Sequence, residues 1–158
     1  MADSILLIGA GGFVGQRLLD AFTRRGESVI AVSRSGFDKR DGCVESHVLA
    51  MREVQDYAPF LPRTRAVIHV ASASTPGSSA GKPVQEIDEN VRPIVALLQA
   101  LQTHPRLPLI YLSSGGTLYS RASEGASDEL AAVYSRSYHG AGKIAAEHFI
   151  EAWCNQFD

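Results

Sequence analysis

Near its N-terminus the chain runs Ile5-Leu6-Leu7-Ile8 straight into Gly9-Ala10-Gly11-Gly12-Phe13-Val14-Gly15. The apolar run has buried-strand character. The segment after the glycines, Gln16-Arg17-Leu18-Leu19-Asp20-Ala21-Phe22, has helical spacing of its apolar residues. Strand, tight turn and helix N-terminus are thus predicted in direct succession. Glycines let the backbone turn sharply and approach a ligand closely, while the N–H groups and dipole of the helix start favour an anion. Gly9, Gly12 and Gly15 form G-x-x-G-x-x-G, with Gly11 giving a nested G-x-G. Such a turn after a strand and before a helix is the context in which a dinucleotide pyrophosphate binds. Without that ligand it is an ordinary βα turn.

The rest of the chain repeats the alternation. Strands are predicted over Ser4–Gly9, Ser28–Ser33, Val44–Leu49, Arg65–Ala71 and Leu109–Ser113, and helices over Phe13–Arg25, Val84–Thr103 and Ser137–Trp153. Gly26 ends the first helix. Ser72–Lys82 and Arg121–Leu130 read as loops. This pattern argues an α/β fold: a parallel sheet covered by helices on both faces with right-handed crossovers. The 158 residues fit one domain, 1–158, and the 45% hydrophobic content supplies a core. A net charge of −2 gives no electrostatic reason to expect a nucleic-acid or membrane partner. No stretch is apolar enough to span a bilayer, and the glycines interrupt the first apolar run too early for a signal core. A cytoplasmic location is the default expectation. Cys43 and Cys154 are far apart, show no metal spacing, and read as free thiols. No metal site is expected.

Four landmarks, in order along the chain, carry a resemblance. They are Gly9-Ala10-Gly11-Gly12-Phe13-Val14-Gly15; Val67-Ile68-His69-Val70-Ala71-Ser72 with Thr75-Pro76-Gly77-Ser78-Ser79; Glu89-Asn90-Val91 in a helix ending Leu97-Leu98-Gln99-Ala100; and Leu112-Ser113-Ser114-Gly115-Gly116-Thr117-Leu118-Tyr119, paired later with Gly140-Ala141-Gly142-Lys143-Ile144-Ala145-Ala146-Glu147. Together they resemble the extended short-chain dehydrogenase/reductase family, in particular its nucleotide-sugar epimerase/dehydratase branch. The resemblance implies a Rossmann-type doubly wound sheet of about five strands in the order 3-2-1-4-5, with a nicotinamide cofactor across the strand ends. It places the pyrophosphate on Gly9, Gly12 and Gly15, with the backbone of Phe13 and Val14 at the helix start. Ala71, Ser72 and Ala73 would line the ribose–nicotinamide side, and Ser113 and Ser114 would sit near nicotinamide and substrate. Asn90 would stabilise the helix or a water chain near the active site, or else is simply a solvated helix residue. It also implies an epimerase, dehydratase or ketoreductase reaction on a nucleotide sugar, and a homodimer or larger self-assembly through the two long helices. Val91, Ile94, Val95, Leu98, Ile144, Phe149 and Ile150 are apolar at near-helical spacing; some of them must face the sheet, and the remainder would be available to a partner.

Several positions depart from the family pattern. NAD enzymes place Asp or Glu at the end of strand two, where this chain has Ser33-Arg34-Ser35. Arg34 suits a 2′-phosphate or stacks on adenine, so the expectation leans to NADP over NAD. Asp38 is the nearest downstream carboxylate. Ala50 and Arg65 stand where the family often has Asp. The family's chemistry uses Tyr and Lys four residues apart on one helix, a spacing that puts both on one face. Here Lys143 is preceded at that distance by His139, with Tyr138 one residue earlier, roughly 100° around the helix. Three readings follow: the chemistry is lost or impaired, Tyr138 reaches the site from a late helix start, or His139 replaces the phenol as acid/base. The usual Ser or Thr falls on Gly115, leaving Ser114 or Thr117 to supply a hydroxyl. Family members continue with further strands and a substrate lobe, and this chain stops at Asn155-Gln156-Phe157-Asp158. Low or no turnover by this form is expected. The alternative is a non-catalytic dinucleotide-binding module.

Overall fold

The computed structural model describes residues 4–37, 44–119, 127–128 and 130–157. Five strands form one sheet: β1 (Ser4–Ile8), β2 (Val29–Ser33), β3 (Val44–Val48), β4 (Thr64–His69) and β5 (Leu109–Tyr111). Among the described residues every strand pairing within the sheet is parallel and the order is β3-β2-β1-β4-β5, as the resemblance implies. The central strand is in register with both neighbours, Leu7 lying opposite Ala31 on one side and Ile68 on the other.

The unbroken apolar character of β1 and β2 has a direct cause. Side chains alternate between the sheet's faces, and here both faces are covered. Leu6, Ile8, Ile30, Val32 and Val67 pack with Tyr57, Phe60, Leu97 and Leu101 on one face. Leu7, Val29 and Ala31 pack with Leu19, Leu18 and Phe22 of helix α1 (Phe13–Arg24) on the other. Short helix α2 (Val54–Tyr57) and a 3-10 turn (Leu61–Arg63) lead into β4.

The long helical stretch before β5 has three parts: α3 (Pro83–Glu86), a π-helical turn (Ile87–Val91) and α4 (Arg92–Leu101). Pro93 accounts for the wide turn. A proline inside a regular helix collides with the carbonyl four residues earlier, here that of Glu89, and a π turn relieves this. A single turn, α5 (Gly115–Leu118), follows β5. The final helix, α6 (Tyr138–Phe157), packs on α4 through Ile94, Leu98 and Ala146.

Several predicted boundaries move. β5 ends at Tyr111 rather than Ser113, and β4 ends at His69 rather than Ala71. The last helix continues to Phe157. Cys154 is a free, exposed thiol. Cys43, Asp38 and most of the predicted Arg121–Leu130 loop lie outside the described residues. No helix among the described residues is long and apolar enough to cross a membrane, and they contain no His/Cys/Asp/Glu group that could hold a metal ion.

Candidate functional site

The C-terminal ends of β1, β2 and β4 open onto a cleft of about 370 Å³. Its walls include Gly9, Gly12, Phe13, Val14 and Gly15 from the first turn, Arg34 after β2, and Ala71, Ser72 and Ala73 after β4. The glycines of this turn do different work. Gly9 has φ +96°, and a Cβ there would lie 2.5 Å from the Ala71 backbone nitrogen. Gly15 is pressed against the Gly9–Ala10 backbone, where a Cβ would come within 2.8 Å of the Ala10 Cα. These two glycines let β1, the turn and β4 close together. A Cβ on Gly12 would meet nothing nearer than the Gly9 carbonyl oxygen at 3.4 Å. The fold therefore tolerates a side chain at Gly12, and the space it would occupy belongs to the cleft mouth.

Gly12 is also the N-cap of α1, with no side-chain cap and no acidic residue in the first turn. The first N–H groups of a helix have no partner within it. Here no acidic side chain of that turn competes for them. An uncapped helix start of this kind, opening on a cleft, favours an anion.

At the end of β2, Arg34 is exposed and its Nη1 lies 3.3 Å from Glu89 Oε2. Arg52 approaches the other oxygen of Glu89 at 3.7 Å. Glu89 and Asn90, both on the π turn, line the cleft as well. Ala50 sits in the same wall, and Arg65 is paired with Glu27 on the surface. His69 closes the cleft floor. It is buried, neither ring nitrogen has a protein partner among the described residues, and burial pushes its pKa down to about 3. It is therefore a neutral imidazole with hydrogen-bonding capacity to spare.

The remaining predicted residues gather around α6, next to this cleft rather than in its lining. Lys143 is buried; its Nζ donates to the Leu112 carbonyl at 2.9 Å and lies 4.6 Å from the centre of the Tyr111 ring. Burial pushes its pKa down to about 8, against the attraction of Glu86 and Glu147. His139 is buried too, and burial holds its pKa below the usual imidazole value, with Glu86 opposing and Lys143 adding to the effect. Its Nδ1 is 2.9 Å from Ser74 Oγ, and its backbone N–H donates to Ser79 Oγ at 3.1 Å. Ser74 in turn contacts Glu86 and Asn90.

Tyr138 stands at the start of α6, is 45% exposed, and lines a separate cleft with Pro76, Gly81, Ser135 and Arg136. Ser113 Oγ is buried with no partner among the described residues. Ser114 caps α5 through its carbonyl, which accepts from the Thr117 backbone at 3.0 Å and from its hydroxyl at 3.3 Å. Gly140 lets α6 approach that turn: a Cβ there would lie 2.7 Å from the Thr117 carbonyl oxygen.

Sequence reasoning does not single out Ser74 or Glu86, and it names Glu89 only within the Glu89-Asn90-Val91 landmark, with no role. Glu86 and Asn90 are four positions apart in a helical segment, which puts them on one face; that spacing is the available signal. Ser74 sits in a polar loop and has none.

A family model described as the NAD dependent epimerase/dehydratase family matches residues 5–158. Among curated proteins, the chain is 26% identical over 156 residues to a UDP-glucose 4-epimerase of Streptomyces lividans, covering 95% of this chain and 47% of that protein. It is 24% identical over 160 residues to a dTDP-4-dehydro-6-deoxyglucose reductase of Escherichia coli, covering 94% of this chain and 50% of that protein. The fold is shared with the UDP-glucose 4-epimerase of Thermotoga maritima solved with UDP-glucose (TM-score 0.88, 20% identity, 98% of this chain and 52% of that one). It is shared also with the UDP-glucose 4-epimerase of Thermus thermophilus solved with NAD (TM-score 0.86, 23% identity, 98% and 51%). The chain thus spans about half the length of the relatives it matches.

Proposed function

The chain belongs to the NAD dependent epimerase/dehydratase family, and from that premise we propose that it is the dinucleotide-binding half of an enzyme acting on a nucleotide sugar. The observation that carries this reading is the uncapped start of α1 facing a cleft at the ends of β1, β2 and β4, where Gly12 leaves room for a ligand. Gly9, Gly12, Phe13, Val14 and Gly15 hold the pyrophosphate. Ala71, Ser72 and Ala73 line the nicotinamide side. When bound, the nicotinamide supplies a hydride acceptor and donor for a sugar carbon. Arg34 gives the adenine end a cation able to pair with a 2′-phosphate, so NADPH binds at least as well as NADH.

The residues around α6 supply proton chemistry. Lys143 is a buried cation on the same helical face as His139, and Ser113, Ser114 and Thr117 are the hydroxyls at the neighbouring strand end. Burial, helped by Lys143, keeps His139 neutral at physiological pH and ready to accept a proton. Tyr138 faces a different cleft, which favours His139 over Tyr138 as the acid/base. The same fact supports a second reading, a dinucleotide-binding module without catalysis.

A panel of UDP-, GDP- and dTDP-sugars, assayed with NAD and NADP, tests the enzyme reading. It is run on the 158-residue chain and on the product of its full reading frame. The expected result is little or no turnover by the short chain, because the binding energy that holds the sugar comes from elsewhere. Turnover appears in the full product. Brisk turnover by the 158 residues alone contradicts the half-enzyme assignment. Inactivity of the full product, with His139→Tyr no better, contradicts the enzyme reading and leaves the non-catalytic module.

A further inference from the structure

We propose that Ser74, Glu86 and Asn90 lock the His139 imidazole in its Nδ1–H form, so that Nε2 is presented as the proton acceptor. The role as acceptor rests on the proposed enzymatic function; the assignment of the proton rests on hydrogen-bond geometry alone.

One donor in the cluster has no choice of role. The backbone N–H of Ala73 donates to Asn90 Oδ1 at 2.8 Å. That fixes which end of the Asn90 amide is oxygen, leaving its Nδ2 two hydrogens to place. They go to Ser74 Oγ at 3.1 Å and Glu86 Oε1 at 3.0 Å. The Ser74 hydroxyl has one hydrogen, which it donates to the other Glu86 oxygen, Oε2, at 2.6 Å. A short contact of this kind is what a carboxylate acceptor produces. Ser74 Oγ now has one lone pair committed to Asn90 and one remaining. The other group on it, among the described residues, is His139 Nδ1 at 2.9 Å. With its own hydrogen spent on Glu86, Ser74 can only accept there, so Nδ1 must carry a proton. In a neutral imidazole, Nε2 is then bare.

The surroundings hold this arrangement in place. Asn90 and Glu86 are buried, and the His139 backbone is tied to Ser79. Gly142, one residue before Lys143, lets Glu86 reach the cluster: a Cβ there would lie 2.7 Å from Glu86 Oε1. Asn90 also lines the nucleotide cleft, so the lock borders the proposed cofactor site.

The consequence for chemistry is a directed base. A substrate O–H bond breaks with its electron pair left on oxygen, and the proton forms a new N–H bond at Nε2. The resulting imidazolium keeps its Nδ1–H on Ser74, whose hydroxyl stays on the Glu86 carboxylate. Glu86 on α3 favours the charged ring, whereas Lys143 on α6 opposes it. Ser74, Glu86 and Asn90 are positioning residues.

The test is long-range nitrogen–proton NMR of the ¹⁵N-labelled 158-residue chain above the imidazole pKa, with the ring signals assigned by their loss in His139→Gln. The expected spectrum has a protonated Nδ1 and an unprotonated Nε2. In Glu86→Gln the amide nitrogen faces Ser74, because Asn90 already donates to the other position. Ser74 then turns its hydrogen to Nδ1, and the ring proton moves to Nε2. Ser74→Ala gives the same move by removing the acceptor, should Glu86→Gln fold poorly. A pH titration of Glu86→Gln shows the His139 pKa lower than in the unmodified chain. An Nε2–H ring in the unmodified chain overturns the proposal, as does a tautomer unmoved by both variants. Loss of the expected dinucleotide binding with the Nδ1–H form intact would instead count against the proposed function alone.

Discussion

Individual residues separate what the fold needs from what a ligand needs. Gly9 and Gly15 sit against backbone, so alanine at either forces strands or turn apart; Gly9→Ala additionally demands a left-handed residue with a Cβ. Gly12→Ala meets no such obstacle. Thermal melts should show Gly15→Ala losing stability on the scale of overpacking, about 1–3 kcal/mol, with Gly12→Ala close to the unmodified chain. Equal melting temperatures would mean the turn is not packed as described. Tyr57 gives a second test. Its hydroxyl is buried between the carbonyls of Met51 at 2.6 Å and Pro93 at 2.8 Å, tying the left-handed Met51 beside the cleft to α4. Tyr57→Phe removes the one hydrogen that bridges them, at a cost of about 0.5–1.5 kcal/mol. A urea midpoint unchanged in Tyr57→Phe would show that the bridge contributes nothing.

At the level of elements, legibility tracks burial. β1 and β2 are readable because every residue of β2 and nearly every residue of β1 is enclosed on both faces. α4 is readable because its apolar stripe spans seven buried positions. The four-residue helices α2 and α5 are too short for a period to emerge. The π turn leaves no periodic signature of its own, although Pro93, its cause, stands in plain sight. The cleft proposed for the cofactor is legible because its residues follow strand ends, a local rule. The Ser74–Glu86–His139 cluster is not, because three distant segments meet only in the folded chain. Helix α6 also carries a pH signature. Burial pushes the Lys143 pKa down to about 8 in the folded state, against about 10.4 unfolded. Between those values the unfolded chain binds more protons, so this group makes stability rise with pH across that window, while below it the penalty is constant. Urea midpoints taken across the window should rise less in Lys143→Met than in the unmodified chain. Parallel curves would mean that Lys143 is not desolvated.

For the molecule as a whole, the sheet's β5 edge decides how the 158-residue chain behaves. β5 pairs with β4 alone among the described strands, and Ile110 and Leu112 are exposed beside it. An open apolar edge recruits another strand. The helix pair expected to drive association is only half available. Val91, Ile94 and Leu98 of the long helix are buried within the chain, while Phe149 on α6 is exposed. We therefore expect self-association through the edge: light scattering at high concentration should give a mass above the monomer, reduced by Ile110→Lys. A clean monomer would contradict this.

The proposed function depends first on the cleft at the strand ends. Its most direct test is calorimetric titration of NADH and NADPH into the unmodified chain and into Gly12→Val. Both dinucleotides should bind the unmodified chain, NADPH at least as tightly as NADH. Gly12→Val should lose that binding while keeping the unmodified circular dichroism spectrum. No binding to the unmodified chain, or equal affinity in the folded Gly12→Val variant, would contradict the assignment of this turn as the pyrophosphate site.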